Sequence, residues 1–344
     1  GETSNILGGT TSLTITAQTG IGTSSDDIDT TVANITLTNS TSGDIYLQET
    51  DTLEIKGITQ SGSGVIDIVV DSGDINQTGN VTSTSGDISI EATSGNITMT
   101  DQKYTTSTSG NITYDANLNV NISILSTTSN ITVTSGNAIT DNLVSENANI
   151  IADEVTLSAV NGIGTSEDND IDTNVSTISL SNTTNGDIFI QEDNNLIISS
   201  ISSQGSNADV VVTTENGSIE TTNSITDSVT GDILLQAIGA TSDITIGAAL
   251  LSTTGNISLN AGRSVNLNSN VTTNGNSKTV DILANDSITM IDGTTIQTNN
   301  GNIILDATAG SVTTDLVNAG IADIAIYAGT SISDIDENSL ITAN

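Results

Sequence analysis

The sequence contains no cysteine, proline, histidine or tryptophan, and its aromatic residues are four tyrosines and one phenylalanine. Without cysteine, no disulfide can staple the fold. The absence of proline favours a sheet structure, because proline removes a hydrogen bond from a β-ladder. With so few aromatic residues, we expect a core of small and branched aliphatic side chains.

Basic residues and long apolar runs are also scarce. Four basic residues stand against 41 acidic ones, which gives a net charge of −37. Such a surface repels nucleic acid and anionic membranes, whose phosphates are bound by clustered lysine and arginine, and it attracts cations. No run of 18 apolar residues occurs. We therefore expect neither a nucleic-acid partner nor a membrane span.

Serine and threonine together number 102, asparagine numbers 39, and 34% of the residues are hydrophobic. Low hydrophobicity with high charge would predict disorder. Here, however, the strongly β-forming residues isoleucine and valine recur in register, which indicates strands.

One six-residue formula recurs along the chain. It consists of a small polar residue, then Gly, then either Asp or Asn, then Ile, then any residue, and finally one of Ile, Leu, Met or Tyr. Glycine is expected to supply the positive φ of a tight turn, and Asp or Asn tolerates the next turn position. The apolar residues that follow alternate with period two, so they share one face of a strand. The copies are residues 42–47 (SGDIYL), 85–90, 94–99, 109–114, 185–190, 230–235, 254–259 and 300–305.

The spacing of these strands predicts the fold. Corresponding strands lie 19 to 24 residues apart, with other short strands between them. A unit this short cannot bury its apolar face alone and must stack on its neighbours. The sequence therefore predicts an all-β, right-handed, three-sheet parallel β-helix, a solenoid of about 16 coils of 19–24 residues. The residues expected to point inward are Ile45, Leu47, Ile88, Ile90, Ile97, Ile112, Ile188, Ile190, Ile233, Leu235, Ile257, Leu259, Ile303 and Leu305.

The sequence also contains a duplication that is longer than one coil. Residues 20–39 (GIGTSSDDIDT and onward) return as residues 162–182 (GIGTSEDNDIDT), with one residue inserted in the acidic loop. The match continues through DIYLQE and DIFIQE. We interpret approximately residues 13–155 and 156–310 as two copies of one supermodule. Because no linker separates them, residues 1–344 are predicted to form a single continuous domain.

These motifs carry a family resemblance. A G-I-G-T loop, an I-D-T soon after it, alternating strands and a GDIYLQE-like segment resemble the repeat region of filamentous-haemagglutinin-type large surface proteins. The resemblance implies a right-handed β-helical shaft, secreted and displayed at a microbial cell surface. It also implies a structural or adhesive role, with a glycan or cell-surface receptor among the partners. Repeat chemistry of this kind specifies a fold more strongly than a function.

The acidic loops are candidate metal sites. Several carboxylates in one exposed loop offer the hard oxygen ligands that Ca²⁺ prefers. The alternative is a solvated acidic bulge between coils, since no established calcium-loop pattern is present. No other cofactor is expected. The candidate metal ligands are Asp26, Asp27 and Asp29 in the first loop and Glu167, Asp168, Asp170 and Asp172 in the second.

Tyr46 and Phe189 occupy equivalent outward positions in the two copies. In a chain with five aromatic residues, this placement suggests a surface contact for stacking a sugar or docking a partner. The alternative is that each ring covers the sheet beneath its neighbouring acidic loop.

The sequence does not favour an enzyme. Parallel β-helices that cleave polysaccharides use paired carboxylates, or they place Arg or Lys beside Ca²⁺ to bind a uronate. Here Arg263 is the only arginine, and the acids are spread over the coils. Asp44, Asp74, Asp87, Asp187 and Asp232 are interpreted as turn residues. The alternative to a structural role is a β-helix that binds or degrades polysaccharide.

A Thr-x-Thr array of the kind that binds ice is a further alternative, which the sequence supports weakly. Thr14 with Thr16, Thr36 with Thr38 and Thr132 with Thr134 match the pattern. The pattern is not expected to recur coil after coil on one face.

The ends of such a solenoid expose unpaired backbone groups, which template further pairing. Neither residues 1–13 nor residues 331–343 read as a cap. We therefore expect head-to-tail self-association into filaments, or continuation of a longer shaft. Lateral contacts should be weak because every flank is acidic.

Overall fold

The computed structural model describes residues 4–166, 169–205, 208–223, 225–229 and 231–343, with the backbone alone for 225–229. These residues form strands and no helix, and they build a parallel β-solenoid of about 15 turns. The predicted all-β parallel β-helix is thus confirmed, and the predicted number of about 16 coils is close to the observed number. No helix of the described residues is long and apolar enough to cross a membrane.

Contacts divide the chain into two units. Unit 1 holds residues 1–160 and 171–174, and unit 2 holds residues 161–170 and 175–344. That the chain is one continuous domain with a duplicated supermodule stays a prediction. The strands up to residue 159 are β1 (Ile6–Leu7), β2 (Ser12–Ala17), β3 (Ile28–Thr31), β4 (Asn34–Asn39), β5 (Ile45–Glu49), β6 (Leu53–Gln60), β7 (Ile66–Val70), β8 (Ile75–Gln77), β9 (Val81–Ser83), β10 (Ile88–Ala92), β11 (Ile97–Met99), β12 (Tyr104–Ser107), β13 (Ile112–Ala116), β14 (Val120–Ile122), β15 (Ile124–Ser126), β16 (Asn130–Ser135), β17 (Ile139–Asp141) and β18 (Ile150–Ala159).

The remaining strands follow the same rhythm. They are β19 (Ile171–Asn182), β20 (Ile188–Glu192), β21 (Leu196–Ser203), β22 (Val210–Thr214), β23 (Ile219–Thr221), β24 (Ile225–Val229), β25 (Ile233–Ala237), β26 (Ile244–Ile246), β27 (Leu250–Ser252), β28 (Ile257–Ala261), β29 (Val265–Leu267), β30 (Val271–Asn276), β31 (Val280–Ala284), β32 (Ile288–Met290), β33 (Thr295–Asn299), β34 (Ile303–Ala307), β35 (Val312–Thr314), β36 (Leu316–Asn318), β37 (Ile324–Ala328), β38 (Ile332–Asp334) and β39 (Leu340–Thr342).

Unit 1 stacks these strands into three parallel sheets. Sheet 1 contains β3, β5, β7, β10, β13, β16 and the second half of β18. Sheet 2 contains the first half of β6, then β8, β11, β14 and β17. Sheet 3 contains the second half of β6, then β9, β12, β15 and the start of β18.

Unit 2 repeats this plan. Its sheet 1 contains β20, β22, β25, β28, β31, β34 and β37. Its sheet 2 contains the first half of β21, then β23, β26, β29, β32, β35 and β38. Its sheet 3 contains β24, β27, β30, β33, β36 and β39.

The core of each unit is an aliphatic ladder. In sheet 1 of unit 1, Ile45 pairs with Ile66, and Ile66 pairs with Ile88. All fourteen residues predicted to point inward are 2% exposed or less, which confirms the period-two assignment. One aromatic residue enters the core. Tyr114 is fully buried, and its hydroxyl lies within hydrogen-bond distance of Thr105 and Gln77.

The formula glycines are required mainly by close packing between coils. Of the eight, only Gly43 and Gly186 have positive φ, so the prediction that each one supplies it is wrong for the other six. A Cβ placed on Gly86 would lie 1.8 Å from the carbonyl oxygen of Gly64, one coil earlier. Only glycine lets the two backbones approach this closely.

The aspartate that follows a turn glycine ties adjacent coils together; four of these glycines belong to copies of the formula, and the fifth is Gly73. The side-chain Oδ1 of each aspartate accepts a hydrogen bond from the backbone N–H of the corresponding residue on the next coil. These acceptors and donors are Asp44 and Val65 (2.9 Å), Asp74 and Asn96 (2.8 Å), Asp87 and Asn111 (2.7 Å), Asp187 and Asp209 (2.9 Å), and Asp232 and Asn256 (2.7 Å). All five aspartates lie between a bend and the start of the next strand, and each uses its side chain to bind the next coil.

Candidate functional site

A concave acidic pocket of about 350 Å³ lies beside the first acidic loop, in unit 1. The loop begins at Gly20 and Gly22, whose φ angles are +126° and +69°. A Cβ on Gly22 would lie 2.5 Å from the carbonyl oxygen of Tyr46, so only glycine lets the loop approach sheet 1 here. Two backbone hydrogen bonds between Thr23 and Asp26, of 2.9 and 3.1 Å, then close a tight turn.

The pocket brings the three predicted ligands of this loop together with a fourth carboxylate. Asp26, Asp27 and Asp29 line it, and so does Asp71, which the sequence reasoning missed. The Nε2 of Gln48 donates to both carboxylate oxygens of Asp71, at 2.8 and 2.9 Å. The coil spacing was the signal that could have found Asp71, because it follows Thr50, another residue of the pocket, by 21 positions.

Burial and mutual repulsion perturb these carboxylates. Burial raises the pKa of Asp27, and nearby carboxylates, first among them Asp29, raise it further. Burial also raises the pKa of Asp67 and of Glu91, on the outer face of sheet 1, and Asp115 adds to the effect at Glu91. A site of this kind favours a bound cation or a proton, because either relieves repulsion between carboxylates.

The carboxylates of the first loop do not converge on a single point. Among the described residues, oxygens from Asp26, Asp27 and Asp29 do not all lie within 4.8 Å of one another. One carboxylate oxygen of Asp29 is shielded from solvent and accepts no hydrogen bond. Calcium binding by this loop stays a prediction.

The second acidic loop differs in its surroundings. Glu167 and Asp168 lie outside the described residues. Asp170, in unit 2, and Asp172, in unit 1, are each only 6% exposed. The backbone of Asp172 forms two hydrogen bonds with Asn149: its N–H donates to the Asn149 side-chain Oδ1 at 3.0 Å, and its carbonyl accepts from the Asn149 backbone N–H at 2.9 Å. The predicted ligands of this loop are therefore not an exposed cluster where the structure describes them.

Tyr46 and Phe189 are half-buried on the outer faces of their sheets. The Tyr46 N–H donates to the carbonyl of Ile21, and the Phe189 N–H donates to that of Ile163, both at 2.8 Å. A Cβ on Gly164 would lie 2.7 Å from the Phe189 carbonyl oxygen. The backbone of each aromatic residue thus contacts the G-I-G-T segment that begins its acidic loop, and a role in surface contact stays a prediction.

Two buried glutamates are the main polar residues that sequence reasoning missed. Glu49 and Glu192 are completely buried at the inward end of equivalent strands. The Glu49 Oε2 accepts from the Thr30 hydroxyl at 2.6 Å and from the Val32 N–H at 2.9 Å. The Glu192 Oε2 accepts from the Val175 N–H at 3.0 Å. Period two, counted from Ile45 and from Ile188, was the signal that placed each glutamate inward.

Arg263 is engaged with a single partner. Its Nε donates to Asp243 Oδ1 at 2.7 Å, and its Nη2 donates to the other oxygen of the same carboxylate. This hydrogen bonding lowers the pKa of Asp243. The arginine therefore links two coils through its ion pair with Asp243. It lies in unit 2, whereas the acidic pocket belongs to unit 1.

Sheet 3 of unit 1 carries threonines in register on its outer face. Thr38 pairs with Thr59, Thr59 with Thr82, and Thr82 with Thr106. Single threonines therefore recur from coil to coil on this face, but the Thr-x-Thr pattern does not, because Thr36 pairs with Gly57. The repeat was hidden in the sequence because a bulge in β6 between its two sheet segments shifts the spacing.

The chain matches no protein-family model, no characterised protein and no solved structure in these three comparisons. The resemblance to filamentous-haemagglutinin-type surface proteins therefore stands on the repeat motifs alone.

Proposed function

We propose that this protein is a structural and adhesive shaft of an extracellular or cell-surface assembly. The supporting observation is how the polar residues are used. The aspartates of the recurring turn formula accept hydrogen bonds from the next coil, and buried Glu49 and Glu192 bind backbone N–H groups. These groups stabilise stacking, and the same interactions recur from coil to coil.

The exposed edge coil of unit 2 supports a further part of this proposal, namely end-to-end self-association. In unit 2, Ile303 is fully buried, whereas its register partner Ile324 on the last coil is partly exposed. Leu340 and Ile341 of β39 are 57% and 48% exposed. A second copy of the chain stacked on this face would bury these residues and pair the open backbone.

A second candidate function is binding or cleavage of polysaccharide at the acidic pocket of unit 1. The observation in its favour is the raised pKa of Asp27 in a concave site beside Asp29 and Asp71. A carboxyl group with a raised pKa, close to an ionised one, is the arrangement that general acid–base catalysis uses.

One screen separates the two functions. The protein is incubated with acidic and neutral polysaccharides, and both binding and release of reducing ends are measured. The shaft proposal predicts no turnover, with or without Ca²⁺, whether or not a glycan binds. Turnover that is abolished by Asp27→Asn, while the variant keeps the wild-type circular dichroism spectrum, would overturn it in favour of the second function.

A further inference from the structure

The outer face of sheet 1 in unit 2 carries an apolar groove of about 340 Å³. Along one file of outward positions, Leu234, Ser258, Asp281 and Ile304 are register partners on four successive strands, β25, β28, β31 and β34. Leu283 lies two residues beyond Asp281 on β31 and completes the apolar lining. Leu283 and Ile304 are 43% and 39% exposed.

Carboxylates border this groove. Asp281 and Asp306 line it, and a neighbouring pocket of about 260 Å³ that shares Leu234 and Asp281 is lined by Asp209 and Asp232. The Oδ1 of Asp281 is shielded from solvent and accepts no hydrogen bond. A ligand that fills the groove must therefore offer apolar surface together with positive charge.

The apolar lining is not a requirement of the coil. On the outer face of sheet 1 in unit 1, the file of outward positions from β7 to β16 is Asp67, Ser89, Thr113 and Thr132, all polar. In unit 2, the corresponding outward positions from β22 onward include three aliphatic residues, Val211, Leu234 and Ile304. Both units form the same three sheets, so stacking does not demand exposed aliphatic residues at these positions.

We propose that this groove binds an extended segment of another protein in which apolar residues are flanked by lysine or arginine. An extended chain places every second side chain on one side, about 7 Å apart, and adjacent coils are about 4.8 Å apart. Two apolar side chains of the segment can therefore contact Leu234, Leu283 and Ile304. Basic side chains two residues further out reach the bordering carboxylates. This proposal does not depend on the shaft function.

The test is binding of a labelled synthetic peptide, Lys-Ser-Leu-Ser-Leu-Ser-Lys, to the full chain, measured by fluorescence anisotropy at physiological salt. The charge-matched peptide with serine in place of both leucines should bind about tenfold more weakly or worse, because it buries no apolar side chain in the groove. The peptide with glutamate in place of both lysines should not bind measurably.

Variants of the protein locate the site. Leu283→Thr combined with Ile304→Thr keeps β-forming side chains and should weaken binding of the leucine peptide about tenfold. Asp281→Asn should weaken binding of the lysine-bearing peptide. Val144→Thr, which changes an aliphatic residue 84% exposed in unit 1, is the matched control and should have no effect.

Equal affinity for the leucine and serine peptides would show that the acidic surface binds cations without using the groove, and it would overturn the proposal. Unchanged binding by the double-threonine variant would do the same. Circular dichroism and thermal unfolding of every variant exclude loss of folding as the cause, and Asp281→Asn gives a second test if the double variant fails to fold.

Discussion

At the scale of single residues, buried polar groups determine whether adjacent coils stay in register. Glu49 and Glu192 put a carboxylate into an aliphatic core, which is costly unless every oxygen is hydrogen-bonded. Both oxygens of Glu49 are satisfied, since Oε1 accepts from the Thr50 N–H at 3.0 Å while Oε2 accepts from Thr30 and Val32. Each glutamate therefore holds the start of a neighbouring backbone segment in place.

We predict that Glu49→Gln lowers the free energy of unfolding by about 2 kcal/mol, because the amide NH₂ then faces backbone donors and leaves one of them unsatisfied. Glu54→Gln is the matched control: Glu54 lies on the outer face, where it pairs with Lys56 at 3.7 Å and its Oε1 accepts from the Thr78 hydroxyl at 2.8 Å. Glutamine keeps an Oε1 acceptor there, and loss of the partly exposed ion pair should cost less than about 1 kcal/mol. Urea unfolding followed by circular dichroism measures both. Similar midpoints for the two variants would contradict the anchoring role of Glu49.

Glycine provides a second prediction at this scale. Gly86→Ala should destabilise the protein by about 1–3 kcal/mol, because its Cβ would overlap the carbonyl oxygen of Gly64. Gly57→Ala is the control, since the nearest atom to its Cβ, the carbonyl oxygen of Asn80, is 3.9 Å away. That change should be neutral or slightly stabilising. A thermal midpoint lowered equally by the two substitutions would refute the role given to close packing.

At the scale of strands and loops, the outer face of sheet 1 in unit 1 concentrates negative charge around the acidic pocket. Asp27, Asp67 and Glu91 all have pKa values raised chiefly by burial. Their ionised forms are therefore less favourable in the folded state than in the unfolded chain. The folded state binds more protons in the window between the unfolded value, near 4, and the raised folded value.

These raised pKa values predict how the stability of the fold depends on pH. Stability should rise as the pH falls from neutral through the raised pKa values toward about 4, because protonation relieves the buried charges. Asp67→Asn should raise the thermal midpoint at pH 7 and reduce the gain seen on acidification. Asp243→Asn should do the opposite at pH 7, since Arg263 lowers the pKa of Asp243 and so stabilises the folded state. Calorimetry at pH 7 and pH 5 checks all three proteins. A wild-type thermal midpoint that is lower at pH 5 than at pH 7 would contradict this account.

The sequence was most informative at this same scale. Period-two alternation placed Ile45 and Leu47 inward, and the 19- to 24-residue spacing identified the coil, because both properties follow from local geometry repeated many times. The coil spacing relates Asp71 to Thr50, but it does not relate Asp71 to Asp27 and Asp29, because that proximity depends on how the first loop folds over the sheet. Period two places Glu49 inward, yet the burial of Glu49 was missed because a charged residue is normally assigned to solvent.

At the scale of the whole molecule, the net charge of −37 governs association. Like charges on the flanks repel over about 10 Å at 0.1 M salt and over longer distances at lower salt. Contact between terminal coils would bury Leu340 and Ile341 and would pair open backbone groups, and both gains would offset this repulsion. We therefore expect end-to-end contacts to dominate over lateral ones, with divalent cations promoting lateral association.

Electron microscopy of the purified protein at low salt, with and without a chelator, tests this account most directly. We predict linear filaments one solenoid wide in both conditions, thickening when divalent cations are added. Leu340→Lys with Ile341→Lys, which adds charge to the exposed edge of unit 2, should shorten or abolish the filaments without changing the circular dichroism spectrum. Single particles of one chain at every concentration, or filaments unaffected by these substitutions, would contradict association through the terminal coil.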